Sequence, residues 1–200
     1  RAMSSSGTDT YSAIAGAVGS LKGPLHGGAN AKVLQMFRTI RDTVGTTPTD
    51  EALGACLDDL LDGKTGDRSG KLYGLGHAVY TMSDPRAIVI KKYAAALARE
   101  KGRADELELM ERIEQLGIPK IMTRKHQSIP MCANVDLYSG LIYSMLDIPE
   151  DMYTPLFATA RIAGWCAHRL EELATGNRIM RPAYRAMLIK EPYIPVDART

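Results

Sequence analysis

Apolar residues recur three and four apart along almost all of this 200-residue chain, and no stretch alternates cleanly as a half-buried strand does. That pattern restricts the fold to helices packed on helices. Composition points the same way: 45% of residues are hydrophobic, but only two Phe and one Trp are among them. A core made mainly of Ala, Leu, Ile, Val and Met suits closely approaching helices. The expected class is all-α, with no internal repeat and no low-complexity tract.

The expected helices have recognisable ends. Ala13, Ile14, Val18 and Leu21 mark a first helix from Thr8, ending at Gly23-Pro24. A second starts near Ala29, with Val33, Leu34, Phe37 and Ile40 on one face. Thr49 caps a third, with Asp50 and Glu51 in its first turn and Leu53, Cys56, Leu57, Leu60 and Leu61 as its buried stripe. Gly63 to Gly76 reads as a Gly-rich, basic and mobile loop. Asp84-Pro85, a cap followed by proline at the first helical position, starts a helix that stops at Gly102. The next helix turns Leu109, Ile113 and Leu116 inward and is expected to stop at Gly117, leaving Ile118 to Ala133 as a loop. Asn134 is expected to cap a helix with Tyr138, Leu141, Ile142, Met145 and Leu146 on one face. A last long helix runs from about Glu150 to Thr175, before an irregular Pro-rich tail from Arg181.

Several classes of function are disfavoured. A net charge of +2 is too small to suggest a nucleic-acid or membrane partner. Three scattered cysteines, Cys56, Cys132 and Cys166, form neither a disulfide framework nor a metal-ligand spacing, and favour a reducing compartment. No run reaches membrane-spanning length and nothing resembles a signal peptide. The chain opens Arg1-Ala2-Met3 in helical sequence without an initiator Met, which reads as a fragment.

Five residues stand out chemically. His26 lies in a glycine-rich turn before a helix, where the helix dipole disfavours imidazolium; a neutral imidazole there can donate to an oxygen gaining negative charge. By spacing alone it reads as a capping or loop histidine, though its flanking glycines permit close backbone approach to a ligand. His77, after Gly74-Leu75-Gly76, is either a loop histidine or a functional one, since a glycine pair with no preceding strand is no dinucleotide fingerprint. Arg86 sits in a first helical turn, where the dipole opposes a cation and an anion must compensate. Arg161 is the only charged residue from Pro155 to Ala167, and a lone buried guanidinium requires a partner, either a structural carboxylate or a ligand's. Asp136, in a first turn, reads as a stabilising N-terminal acid. Together these groups would suit enolate chemistry on an anionic substrate.

Longer motifs resolve these alternatives. Leu21-Lys22-Gly23-Pro24-Leu25-His26-Gly27-Gly28-Ala29-Asn30 resembles the citrate synthase segment around the first active-site histidine. Gly74-Leu75-Gly76-His77-Ala78-Val79-Tyr80, with Asp84-Pro85-Arg86, resembles that family's second-histidine motif. Asn134-Val135-Asp136-Leu137-Tyr138-Ser139-Gly140 resembles the segment bearing its catalytic aspartate. Thr154 to Trp165 resembles the helix that follows, and Arg178-Ile179-Met180-Arg181-Pro182 the basic tail motif. Their order and separation agree across essentially the whole chain.

The resemblance, to the C-terminal half of a bacterial-type citrate synthase, implies condensation of acetyl-CoA with oxaloacetate and hydrolysis of the citryl thioester, a tricarboxylic acid cycle reaction. Asp136 would take a methyl proton, His26 would hydrogen-bond the enolate oxygen, and His77 would polarise the oxaloacetate carbonyl and protonate it. Arg86 and Arg161 would hold oxaloacetate carboxylates, and Arg181 would reach the substrate of a neighbouring subunit in a homodimer. Leu72, Gly74, Leu75, Gly76 and Lys125 would lie against coenzyme A, which enters as a thioester substrate; no cofactor or metal is implied. Gly27 to Ala133 would form a small lobe that closes over substrate, with Arg1 to His26 and Asn134 to Thr200 belonging to a large lobe. The family's N-terminal portion, including a further oxaloacetate-binding histidine, is not in this sequence, and Met131-Cys132-Ala133 departs from the usual lead-in to Asn134. The expectations are therefore a cytoplasmic enzyme whose present 200 residues are inactive alone. The alternatives are a 2-methylcitrate synthase using propionyl-CoA, or a truncated CoA-binding or inactive domain.

Overall fold

The computed structural model describes residues 1–23, 26–176, 178–183 and 192–199. Pro24 and Leu25 of the first motif, and 184–191 of the tail, lie outside the described residues. Among those described, the regular structure is eight α-helices: α1 (Ala2–Ser5), α2 (Thr10–Leu21), α3 (Ala29–Val44), α4 (Asp50–Leu61), α5 (Pro85–Glu100), α6 (Ala104–Arg124), α7 (Asp136–Met145) and α8 (Tyr153–Thr175). The one extended pairing among them is an isolated antiparallel bridge between Leu75 and Ala133. The all-α expectation holds. No described helix is long and apolar enough to cross a membrane.

The chain divides into two compact units, Ala17–Ile162, and Arg1–Gly16 with Ala163–Thr200. In the smaller, the chain start forms the short α1 before breaking at Gly7, so the first long helix begins at Thr10 rather than Thr8. Asp9 starts it, accepting from the Ser12 amide at 2.9 Å and the Ser12 hydroxyl at 2.6 Å. The Arg169 guanidinium donates to the Ser4 and Thr8 carbonyls, and Arg1 pairs with the buried Glu172 at 2.9 Å.

In the larger unit, local chemistry sets the starts of α4, α5 and α7. The Thr49 hydroxyl accepts from the Ala52 amide at 3.2 Å and caps α4. Asp84 caps α5, and Pro85, which has no N–H to leave unpaired, occupies its first position. Asn134 acts just outside α7, accepting the Asp136 amide on Oδ1 at 2.9 Å, while Val135 is the formal cap residue and makes no capping bond.

Helix α6 departs from the sequence expectation. It runs through Gly117 and Pro119 to Arg124. A Cβ at position 117 would stand 2.8 Å from Leu75 Cδ1 and 3.1 Å from Leu72 Cδ1, so Gly117 is a point of close packing and not a stop. Tertiary packing outweighs both the glycine and the proline, whose missing N–H forfeits one hydrogen bond. The 118–133 loop shrinks accordingly.

Helix α7 is buried nearly all round, by Leu137, Tyr138, Ser139, Gly140, Leu141 and Met145, and packs with α3, α5 and α6. Leu146, expected inside, is 48% exposed because α7 ends one residue before it. The buried Tyr138 hydroxyl donates to Glu114 of α6, and Lys91 of α5 pairs with the same carboxylate at 3.5 Å, joining three helices through one acid. Helices α4 and α6 are bridged by Arg112–Asp50 at 2.5 Å, Lys120–Asp58 at 2.6 Å and Arg124–Asp62. All three pairs are 62 residues apart in sequence, and that constant offset makes the two helices parallel. The Gly63–Gly76 loop is organised around Asp67, which accepts from the Ser69 amide, the Tyr73 hydroxyl and Lys32.

Gly74 has φ +82°, and a Cβ there would meet Leu137 Cα at 2.9 Å. Gly102 has φ +66° with nothing within 4 Å. We expect Gly102→Ala to cost about 1 kcal/mol, from left-handed strain alone, and Gly74→Ala about 2–4 kcal/mol, from strain plus overpacking against a helix backbone. Urea denaturation of the two variants side by side checks the ordering.

Candidate active site

The residues singled out above converge in the larger unit. His26, His77, Arg86, Asp136 and Arg161 all line one cleft of about 390 Å³, together with Asn30, Tyr80, Asn134 and Phe157. Each comes from a different local device. His26 lies in the turn before α3; its amide donates to the Gly23 carbonyl at 2.9 Å, and the Gly27 carbonyl accepts from Thr154 at 2.6 Å, holding the turn against the start of α8. The His26 ring meets Phe157 edge-on at 6.4 Å.

His77 is oriented by its own backbone. Its Nδ1 accepts from the Val79 amide at 2.9 Å and the Tyr80 amide at 3.0 Å. In a neutral ring the proton therefore sits on Nε2, the nitrogen 3.1 Å from Arg86 Nη2. Two donors thus face one another at the cleft wall, an arrangement that an acceptor oxygen placed against both would relieve.

Arg86 projects from the first turn of α5, and the compensating anion turns out to be the helix cap itself. Asp84 Oδ1 accepts from the Arg86 amide at 2.9 Å and from Nε at 3.0 Å, and Oδ2 accepts from Nη2 at 2.7 Å. The Asp84 side chain is fully shielded from solvent. The pairing holds the Asp84 carboxyl below the ordinary carboxylate range, chiefly through Arg86, and raises the Arg86 guanidinium in turn.

Asp136 opens α7 with its carboxyl directed into the cleft wall. Burial pushes its proton affinity up, against the opposing pull of Arg86 and His26. Desolvation, with the Asp136 charge nearby, also raises Tyr143, two turns further along α7.

Arg161 corrects an expectation. The apolar composition around it suggested a buried lone cation, but Arg161 is exposed, and its guanidinium stacks over the Phe157 ring at 5.1 Å. Among the described residues no carboxylate pairs with it. Apolar neighbours along a helix do not bury a residue when that side of the helix is open.

Four of the five residues anticipated around a second ligand also gather. Leu72, Gly74, Leu75 and Lys125 line a separate cleft of about 450 Å³ with Lys71 and Asn134. Gly76 is outside that lining, its amide bonded to the Cys132 carbonyl at 2.8 Å and its carbonyl to Asn134 Nδ2 at 2.9 Å. Arg181 belongs to the smaller unit and is exposed in an irregular stretch. Sequence reasoning saw Asp84 and Asn134 only as helix caps and passed over Asn30 and Phe157. The position of both asparagines beside candidate site residues was the available signal.

Known proteins resemble this chain along nearly its whole length. The description "Citrate synthase, C-terminal domain" fits residues 1–183. The citrate synthase of Deinococcus radiodurans is 40% identical over 181 residues, which are 90% of this chain and 43% of that protein. That of Synechocystis sp. is 40% identical over 182 residues, 91% of this chain and 41% of that protein. The chain thus spans about two fifths of these relatives' length. Among solved structures, the ternary complex of carboxymethyl coenzyme A and oxaloacetate with citrate synthase from Thermoplasma acidophilum aligns at TM-score 0.73 and 31% identity, over 99% of this chain and 49% of that one. Citrate synthase from Thermotoga maritima aligns at TM-score 0.73 and 32% identity, over 100% and 50%.

The raised affinity of Asp136 for its proton has a stability consequence. The folded chain holds that proton to higher pH than the unfolded chain, so the contribution is present below the unfolded value near 3.9 and is lost as pH rises through the folded one. Asp136→Asn, which carries no charge to bury, should melt higher than wild type at pH 7, and the difference should shrink towards pH 4. The melting difference at pH 7 has the sign set by burial of the carboxylate, with the variant the higher. Thermal melts of both proteins across that range check it.

Proposed function

This chain belongs to the citrate synthase family, and on that premise we propose that its main cleft joins acetyl-CoA to oxaloacetate and hydrolyses the product to citrate and CoA. The observation that carries the reading is the convergence of two histidines, one desolvated aspartate and two arginines on a single cleft. Asp136 is the base that removes a methyl proton from the thioester. Burial makes its carboxylate a stronger base than one in water, and a positioned base contributes about 10²–10⁴-fold. The enolate oxygen that results accepts a hydrogen bond from His26.

Oxaloacetate suits the paired donors of His77 and Arg86. A 2-oxo acid carries a carbonyl oxygen beside a carboxylate, so the carbonyl accepts from His77 Nε2–H while the carboxylate accepts from the Arg86 guanidinium. His77 polarises that carbonyl, the enolate carbon attacks it, and the new alkoxide takes the Nε2 proton. Water then cleaves the thioester, releasing CoA. Arg161, with a guanidinium free of protein carboxylates among the described residues, takes a further substrate carboxylate. The second cleft, with Lys71 and Lys125 at its rim, holds coenzyme A. The ternary complex of the Thermoplasma relative with carboxymethyl coenzyme A and oxaloacetate supports this pair of substrates. Arg181 is assigned, on the family resemblance, to the substrate of a second copy of the protein.

The test measures CoA release by the product of the full reading frame, with oxaloacetate and either acetyl-CoA or propionyl-CoA. Release with acetyl-CoA is expected, falling about 10²–10⁴-fold in Asp136→Asn. Faster turnover of propionyl-CoA would replace the reading by 2-methylcitrate synthesis, and release unaffected by Asp136→Asn would remove the base from its role. Arg161→Leu should leave the melting midpoint nearly unchanged, since the side chain is exposed, while KM for oxaloacetate rises about 10- to 100-fold for the lost charged hydrogen bonds. Steady-state kinetics and a thermal melt on that variant separate the two effects.

A further inference from the structure

We propose that Asp84 is a positioning residue for the condensation: its buried carboxylate clasps the Arg86 guanidinium and fixes that cation against His77 and the cleft. The proposal rests on the function read above. Asp84 is 1% exposed, so an ordinary helix cap would already suffice to explain the single bond to the Arg86 amide at 2.9 Å. It does not explain the other two. Nε at 3.0 Å and Nη2 at 2.7 Å meet separate oxygens of the same carboxylate, a fork-to-fork pairing that sets the plane of the guanidinium and not merely its location. With that edge taken, Nη1 and the second proton of Nη2 are left for the cleft, on the side where His77 Nε2 lies at 3.1 Å. Tyr80 covers Arg86 from the ring face, 6.0 Å from the guanidinium carbon. A side chain with four rotatable bonds is thereby held in one pose before any substrate arrives, removing an ordering cost that would otherwise be met on binding.

The clasp also sets charge. Asp136 faces Arg86 and Asp84 from α5, His77 from the loop before α5, His26 from the turn before α3, and Tyr143 on its own helix, with Arg161 of α8 across the same cleft. Of these, Asp84 strengthens the hold of Asp136 on its proton and Arg86 weakens it. By spending part of the Arg86 charge, Asp84 keeps Asp136 a stronger base. Removing the Asp84 charge should therefore move the acid limb of the pH profile for kcat to lower pH.

Asp84→Asn tests this, because asparagine caps helices as well as aspartate but cannot accept both guanidinium donors. In the product of the full reading frame we expect a folded protein with a lowered melting midpoint at neutral pH, because the pairing that holds the Asp84 carboxyl low stabilises the fold there. KM for oxaloacetate should rise about 10- to 100-fold, KM for acetyl-CoA should change little, and the acid limb should shift downward. Arg86→Gln should lose oxaloacetate affinity comparably, and the double variant should lose little more, since one residue acts through the other. An independent readout is the rate at which phenylglyoxal modifies Arg86, followed by mass spectrometry of its peptide, which should rise several-fold in Asp84→Asn. Should that variant not fold, Asp84→Ser, which also caps, takes its place in every measurement. Unchanged labelling overturns the clasp, and an oxaloacetate KM within twofold of wild type with an unmoved acid limb overturns its role in positioning. If wild type releases no CoA, the condensation reading falls and takes the positioning role with it, whereas the labelling comparison still judges the clasp alone.

Discussion

The side-chain amide of Asn134 ties together the pieces that the larger unit must bring into one place. Its Oδ1 accepts the Asp136 amide, its Nδ2 donates to the Gly76 carbonyl, and its own amide donates to the Gly74 carbonyl. One residue thereby joins the start of α7 to the loop that delivers His77. Both clefts share it in their linings. The reciprocal bond from the Gly76 amide to the Cys132 carbonyl makes the connection double, and the close approach it demands is why position 74 has no room for a side chain. These polar groups are partly buried and would be costly to leave unpaired, which favours the staple.

Charges in this chain divide by environment. The pairs between α4 and α6 are partly exposed, and the Asp62 carboxyl is drawn down to about 2 by Lys64 and Arg124. Pairs of that kind add little individually and are weakened by salt. In the cleft lined by His77 and Asp136 the carboxylates are the shielded partners, while the Arg86 side chain stays 41% exposed. Asp84 is fully shielded, Asp136 is raised by burial, and Arg86 stands between them. Around the two shielded carboxylates, water screens the field less than it does between α4 and α6.

What the sequence made legible was whatever local chemistry decides alone. Thr49 and Asp84-Pro85 are caps whose partners lie within three residues, and α4 and α5 begin where they indicate. The long motifs were legible because their order and spacing carry more information than any single residue. Gly117 was misread since its role depends on Leu72 and Leu75, over forty residues away, whose side chains fill the space a Cβ would need. Arg161 was misread because neighbours in sequence are not neighbours around a helix. The Asp84 clasp was hidden for another reason: side chains two apart within a helix do not face each other, but a cap residue lies outside the helix and can turn back on the second.

The constant offset between α4 and α6 has an electrostatic consequence for the second cleft. Helices lying parallel add their macrodipoles instead of cancelling them, and both carboxyl ends fall on the same side. Leu61 and Ile121, in the last turns of α4 and α6, line that cleft. Its floor therefore carries the negative potential of two helix ends before any side chain is counted. Of the basic residues at those ends, Lys64 and Arg124 are already paired with Asp58, Asp59 and Asp62, so they offset neighbouring carboxylates before they offset any field of the backbone. Only the remainder is felt by an anion approaching through solvent. Long-range attraction into this cleft is thus weaker than its roster of basic residues suggests, and capture there depends on contacts made at short range.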